Sequence, residues 1–431
     1  MADPAEKHDA LRRDLGAGAA VMLGLGSILG TGVFVSIGIA AGVAGPFVIL
    51  AIALAAGVAT CNALSSAQLA ARYPVSGGTY EYGYATLTPA LGFTAGWTFL
   101  LAKTASAATA ALGCAGYLLH LAGLEWNPTP IAVGIVALVS AVVLAGIRRT
   151  SAVNAVIVGV TLVALATFVL AGLPTAARQA SGNLRPEVGG AGSLPSLLHA
   201  TALMFVAYTG YGRLATLGEE VREPARTIPR AIVVTLLTSA VLYLAVALVA
   251  IGAVGADGLA AMTTGRAAPL EQAASVFGIP GVSQVVAIGA VTAMLGVLLN
   301  LLLGLSRVWL AMGRRGDMPG VLAQARSGTP AAAVLLTGVL IACLALVGDV
   351  RTTWTFSAFT VLIYYGITNL AALRLLPEER RYPPAIAWAG LVSCLALAFV
   401  VDWRSWSLGL ALIVAGLAWH RLRRGKRAAA G

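Results

Sequence analysis

The stretch GLGSILGTGVF (residues 24–34) places glycines at 24, 26, 30 and 32, with Ser27 and Thr31 among them, inside an apolar run from about Leu15 to Val43. Each glycine costs about 1 kcal/mol relative to alanine in a helix interior, and an unpaired amide in lipid costs several more. A break in the helix offsets that cost if it is used. Backbone N–H groups freed at a break attract an anion such as a carboxylate, and freed C=O groups accept from an ammonium or bind Na⁺. Close packing is the competing reading, since Gly26 and Gly30 form a small-xxx-small pair that admits a neighbouring helix. A second interrupted stretch, AYTGYGRLATLG (207–218), lies five apolar segments later. Interrupted segments at corresponding positions of two five-span halves mark the binding site of an inverted-repeat transporter.

Two further residues bear charge at membrane depth. Lys103 lies about 13 residues into its segment, hence about 20 Å deep at 1.5 Å per residue. Ser106 and Thr109 follow at three-residue intervals, which puts the lysine on a polar stripe facing protein or water. Ionisable groups at that depth cost at least about 2.5 kcal/mol and mark function by default. Lys103 can meet a substrate carboxylate, titrate as a coupling group, or bond to carbonyls of a neighbouring helix. Arg213 is permanently charged and relays no proton, so it attracts an anion or pairs with an acid such as Glu219 or Glu220.

These groups need helices to hold them. The chain of 431 residues is 59% hydrophobic and 10% charged, and its apolar runs repeatedly reach the length that spans hydrocarbon. Twelve segments are expected, at about 16–42, 46–70, 90–119, 130–147, 152–173, 197–217, 229–253, 282–311, 330–347, 352–375, 384–400 and 404–420. Gly45-Pro46, Thr227-Ile228-Pro229 and Thr329-Pro330 mark the starts of the second, seventh and ninth. The longest connectors run from about Pro174 to Pro195 and from Ala256 to Pro280. Three regions follow: an N-terminal tail (1–15), a transmembrane domain (16–420) and a basic C-terminal tail (421–431).

The net charge of +11 is a topology signal. With both termini in the cytoplasm, 21 Lys and Arg fall on that side against five on the other, with Lys103 and Arg213 inside segments. That is the positive-inside rule for a multi-pass protein of the cytoplasmic membrane with an even number of spans. Nucleic-acid binding needs a basic face on a soluble module, and none is visible. Cys61, Cys114, Cys343 and Cys394 lie in apolar segments without metal-ligand spacing. No phosphate-binding Gly-x-x-x-x-Gly-Lys-[Ser/Thr], no His-Glu-x-x-His and no Gly-x-Ser-x-Gly occurs, and His8, His120, His199 and His420 are scattered, so ATP-driven and enzymatic readings lack their residues. A channel needs rings of charge or carbonyls in an oligomer, whereas paired broken helices in one chain suit a secondary transporter.

Four blocks resemble amino acid permeases of the amino acid-polyamine-organocation (APC) superfamily. They are GLGSILGTGVF, YPVSGGTYEYGYATLTPALGFTAGW (73–97), FVAYTGYGRLATLGEEVREPARTIPRAI (205–232) and SRVWLAMGRRGDMP (306–319). The resemblance implies an all-α integral membrane protein of LeuT-like fold, with inverted five-helix repeats at about 16–173 and 197–375 and two extra helices in 384–420. It also implies a secondary transporter of an amino acid working by alternating access, with polyamines, other amines and organic carboxylates as alternative cargo. The substrate carboxylate would meet the amides of Gly30, Thr31 and Gly32. Its ammonium would meet carbonyls of Ser27, Ile28, Phe205 and Tyr208, and Val206, Gly210 and Tyr211 would shape the side-chain pocket. No cofactor is expected, coupling to Na⁺ or H⁺ is open, and the oligomeric state is not legible.

The chain departs from that family twice. Many relatives carry a lysine seven residues after an asparagine in the fifth span, whereas here Asn154 is followed at that distance by Thr161. Coupling through that lysine is therefore absent, and the Thr161 hydroxyl can face Na⁺ or bond its own helix. Several relatives place an acid two residues after the glycine-containing pair of the sixth span, where this chain has Gly212 followed by Arg213.

Overall fold

A computed structural model describes residues 16–73, 77–146, 151–185, 192–215, 221–325 and 329–428. Every element among them is helical. The first span is split into α1 (Ala17–Ile28), a π-helical turn (Gly32–Ser36) and α2 (Ile37–Ala44). α3 (Val48–Arg72), the short α4 (Thr79–Thr86), α5 (Pro89–Leu121), α6 (Pro128–Leu144) and α7 (Ser151–Asn183) complete the first half. The sixth span is split likewise into α8 (Leu194–Tyr208), a 3₁₀ turn (Thr209–Tyr211) and α9 (Gly212–Ala215). α10 (Pro224–Arg266), α11 (Pro269–Ser275), α12 (Val282–Arg315), α13 (Ala331–Val347) and α14 (Val350–Leu373) follow, with α15 (Pro384–Ala398) and α16 (Trp403–Ala428) at the end.

By length and hydropathy, six helical stretches among the described residues qualify as membrane spans, and α15 with α16 forms a further pair bent by 113°. One of the six, Ala17–Arg72, contains two of the expected segments, and α6 and α13 are shorter apolar helices. Helix starts follow local capping chemistry. Pro89, Pro128 and Pro269 open their helices where a missing N–H is tolerated, and Asp349 forms a capping box with Thr352 ahead of α14.

Helices of the same rank in the two halves pack on one another: α3 on α10, α5 on α12, α6 on α13. An in-plane two-fold axis between inverted halves produces this pairing. α1 and α2 sit against α10, and α8 sits against α2 and α3, with α14 closing over α5 and α8.

Three boundaries differ from expectation. α7 runs through Pro174 to Asn183, because the apolar pattern ends before the helix does. α10 begins at Pro224, which leaves Pro229 inside its second turn. The connector after the seventh span is largely helical: α10 bends at Gly255 and continues to Arg266, and α11 follows. Gly255 has φ +75°, a conformation that favours glycine, and Asn183 Nδ2 donates at 3.0 Å to the carbonyl of Gly252 beside the bend. The expected N-terminal tail 1–15, residues 429–431 of the expected C-terminal tail 421–431 and the expected partners Glu219 and Glu220 lie outside the described residues, whereas 421–428 continue α16.

Candidate functional site

The break in the first span is local and backbone-made. α1 ends at Ile28, Leu29 turns extended (φ −75°, ψ 103°), and the chain re-enters helix with Val33 and Phe34 donating to the Gly30 carbonyl at 3.1 Å each. Helix geometry leaves the first amides of the new segment, those of Gly30, Thr31 and Gly32, without an i−4 carbonyl. Thr31 is 3% exposed, and its Oγ1 is buried without a hydrogen-bond partner among the described residues. A buried unsatisfied hydroxyl is uncommon and calls for a cause.

The sixth span breaks directly opposite. Gly210 lies so close to the first break that a methyl group on its Cα would collide with the Ser27 carbonyl. Only glycine permits that approach. Tyr243, on α10, ties the two breaks together: its hydroxyl lies 2.9 Å from the Ile28 carbonyl and 3.1 Å from that of Ala207. Tyr243→Phe removes this donor from two buried carbonyls and is expected to cost about 1–3 kcal/mol of stability. A thermal-unfolding midpoint equal to that of the parent protein would refute the tie.

Lys103 reaches this junction from α5. The residue is 8% exposed, and its ammonium donates at 2.8 Å to Thr209 Oγ1, next to Gly210. Thr209 in turn donates at 2.7 Å to the Val206 carbonyl, and Tyr365 OH donates to the Thr209 carbonyl at 3.3 Å. Among the described residues no carboxylate lies within ion-pair distance of Lys103. The expected polar stripe is present: Ser106 and Thr109 hydrogen-bond to Ser357 and Thr353 of α14 at 2.7 and 2.8 Å.

The structure thus brings Ser27, Ile28, Gly210 and Lys103 to one junction, with Gly30, Thr31 and Gly32 in the adjoining break. Phe205 and Tyr211 are fully buried and pack on Tyr365, the first edge-to-face and the second tilted, with ring centroids 5.6 and 5.3 Å away. Val206 is 4% exposed, and its carbonyl is taken by Thr209. Tyr208 turns its ring against Tyr243 at 5.1 Å, its hydroxyl near the Ile52 carbonyl, so only its backbone belongs to the break.

Thr161 stays apart from this group by its bonding. Its Oγ1 donates at 2.8 Å to the Ile157 carbonyl of its own helix. Thr161→Val is therefore expected to change uptake less than about twofold and to leave its Na⁺ dependence as in the parent; loss of Na⁺ dependence would overturn this. Asn154 instead pins α7 to α1, donating at 2.8 Å to the Met22 carbonyl. Arg213 opens α9 half-buried.

Thr209, Tyr243 and Tyr365 were not singled out by sequence. Thr209 sits inside the quoted glycine stretch, and Tyr243 is a solitary hydroxyl in the apolar run VLYLAVALVA, a signal that polar groups in lipid usually carry.

Comparison with known proteins agrees with this architecture. The amino acid permease family model matches residues 19–423. An uncharacterised transporter of Mycobacterium tuberculosis is 42% identical over 98% of this chain and 94% of its own. A methylthioribose transporter of Bacillus subtilis is 30% identical over 83% of this chain and 81% of its own. A branched-chain amino acid permease of the same organism is 28% identical, covering 91% and 89%. With two broken spans meeting at Gly210 and a family match over nearly its whole length, this chain belongs to the amino acid permease family of the APC superfamily, a family of multi-pass membrane transporters.

Proposed function

We propose that the chain carries a zwitterionic or anionic amino acid across the cytoplasmic membrane by alternating access. The observation that supports this most is the buried Lys103 ammonium, bonded to Thr209 at the meeting of the two breaks and facing no carboxylate within ion-pair distance among the described residues. The substrate carboxylate takes the amides of Gly30, Thr31 and Gly32, and its ammonium takes carbonyls of Ser27 and Phe205. The Ile28 carbonyl already accepts from Tyr243, which leaves it the weaker candidate. A cationic side chain would meet Lys103 in a water-poor site and be repelled, so cationic amino acids and polyamines are disfavoured.

Both termini face the cytoplasm in this reading, on the positive-inside count. Ile28 to Gly32 are buried and Ser27 and Gly210 only partly exposed, so substrate entry requires one half of the bundle to rock against the other. Uptake of radiolabelled neutral, acidic and basic amino acids into proteoliposomes, with and without Na⁺ and pH gradients, tests the proposal. Saturable uptake of neutral or acidic substrates is expected. Preference for lysine, arginine or a polyamine would overturn the charge argument, and no uptake or exchange of any amino acid would overturn the transport reading.

A further inference from the structure

A basic cleft lies away from the breaks, at one end of the bundle. Arg315 closes α12, α4 lies across it, and α16 ends beside it. The cavity there measures about 350 Å³ and is lined by Tyr84, Pro89, Arg315, Asp317, Arg423 and Arg424. Its acid is spent internally. Asp317 is 6% exposed, accepts from Tyr80 OH and Tyr84 OH at 2.7 Å each, and has His420 Nδ1 3.3 Å from its other oxygen.

Of the three cations, Arg315 is ion-paired, while Arg423 and Arg424 have no carboxylate partner among the described residues. Arg315 stacks 4.2 Å over the Tyr84 ring and is bonded to Glu81. Burial pushes the Glu81 carboxyl above its ordinary value, with Arg315 opposing. Arg423 packs 5.5 Å over Trp419 and spends one N–H on the Met318 carbonyl, at 2.7 Å. Arg424 is exposed, with no ion pair or hydrogen bond among the described residues. Three guanidiniums around one cleft suit a phosphate, which arginine binds through paired N–H donors. A second cleft, near Arg72, differs: there Glu379 pairs with Arg72 at 2.6 Å and Arg380 donates to carbonyls.

The surroundings indicate where that phosphate comes from. Trp419, one turn before Arg423 on α16, and Leu422, directly before it, are 40% and 66% exposed and lie three residues apart, an apolar strip beside the cleft. Interfacial tryptophan beside arginine marks the headgroup level of a bilayer, and basic pockets between spans bind anionic lipid heads. The geometry points to a phosphate-binding site for an anionic phospholipid headgroup, built by Arg315, Arg423 and Arg424 between α4, α12 and α16, with the acyl chains along Trp419 and Leu422. Because these residues join the end of α12 to α4 and α16, an occupied site braces that end of the bundle. This site is independent of which substrate crosses at the breaks.

Thermal unfolding of the full chain in zwitterionic detergent tests it, with dioctanoyl phosphatidylglycerol, dioctanoyl phosphatidylcholine or inorganic phosphate added at matched ionic strength. Phosphatidylglycerol is expected to raise the midpoint saturably, at a half-saturating concentration roughly tenfold below that of phosphatidylcholine, in keeping with one charge-assisted contact. Arg424→Gln, which removes a side chain without structural bonds, should raise that concentration about tenfold. Arg230→Gln, an exposed arginine on α10, should not. If inorganic phosphate stabilises in an Arg424-dependent way while the two lipids act alike, the phosphate site stands and its ligand is soluble. Equal response to the two lipids with phosphate inert, or equal weakening by Arg230→Gln and Arg424→Gln, overturns the site.

Discussion

Gly210→Ala is expected to lower amino acid uptake by about 10- to 100-fold, because overpacking a close contact costs about 1–3 kcal/mol and here the strain falls on the binding site. The added methyl would meet the Ser27 carbonyl, which is backbone and cannot rotate aside. The two breaks must therefore separate. That shift would carry Thr209 away from Lys103 and stretch the Tyr243 bridge, whose two hydrogen bonds are 2.9 and 3.1 Å long. Proteoliposome uptake at equal reconstituted protein measures the effect, and Gly57→Ala in α3, where an added methyl meets nothing, is the matched control expected to transport normally. Parent-like uptake by Gly210→Ala would mean that the breaks need no such contact.

The positions of the breaks were legible in sequence because glycine density inside an apolar run has few other physical uses. GLGSILGTGVF and AYTGYGRLATLG both fall on interruptions, and all twelve expected segments overlap helices. Lys103 was legible by depth alone, since a cation among LLAKTASAATA has to face protein or water. Its partner was not. Thr209 is distant by 106 residues, and the approach of α5 to the sixth span depends on packing that no local pattern encodes. The same holds for Tyr243, which serves both breaks from a third helix. The helix beyond Gly255 is hidden in the sequence because Asp257, Thr263, Thr264 and Arg266 interrupt its hydropathy. That segment packs on α2, with Leu259 and Thr263 buried beside Gly38, so tertiary contact and not hydropathy holds it helical.

Lys103 makes the sharpest separation between a structural and a functional charge. A lysine that held the fold would leave a buried partner uncompensated when removed, at about 3–5 kcal/mol for a broken ion pair. Here the partner is the neutral Thr209 hydroxyl, which keeps its own bond to the Val206 carbonyl, so nothing charged is stranded. Lys103→Met preserves the length of the stem and replaces an expensive ammonium with an apolar end. The thermal-unfolding midpoint is therefore expected to stay level or rise. Substrate affinity should move the other way: loss of a charge-assisted hydrogen bond to a carboxylate, worth about 1.5–3 kcal/mol, weakens binding by about 10- to 150-fold. Lys103→Arg keeps the charge and should retain more affinity than Lys103→Met, though its fork does not fit the single Thr209 contact. Measuring the midpoint and the substrate Kd on the same preparations decides the matter. A fallen midpoint with unchanged Kd would make Lys103 a strut between α5 and the sixth span, whereas a level midpoint with weakened binding leaves the ammonium waiting for the charge that the substrate brings.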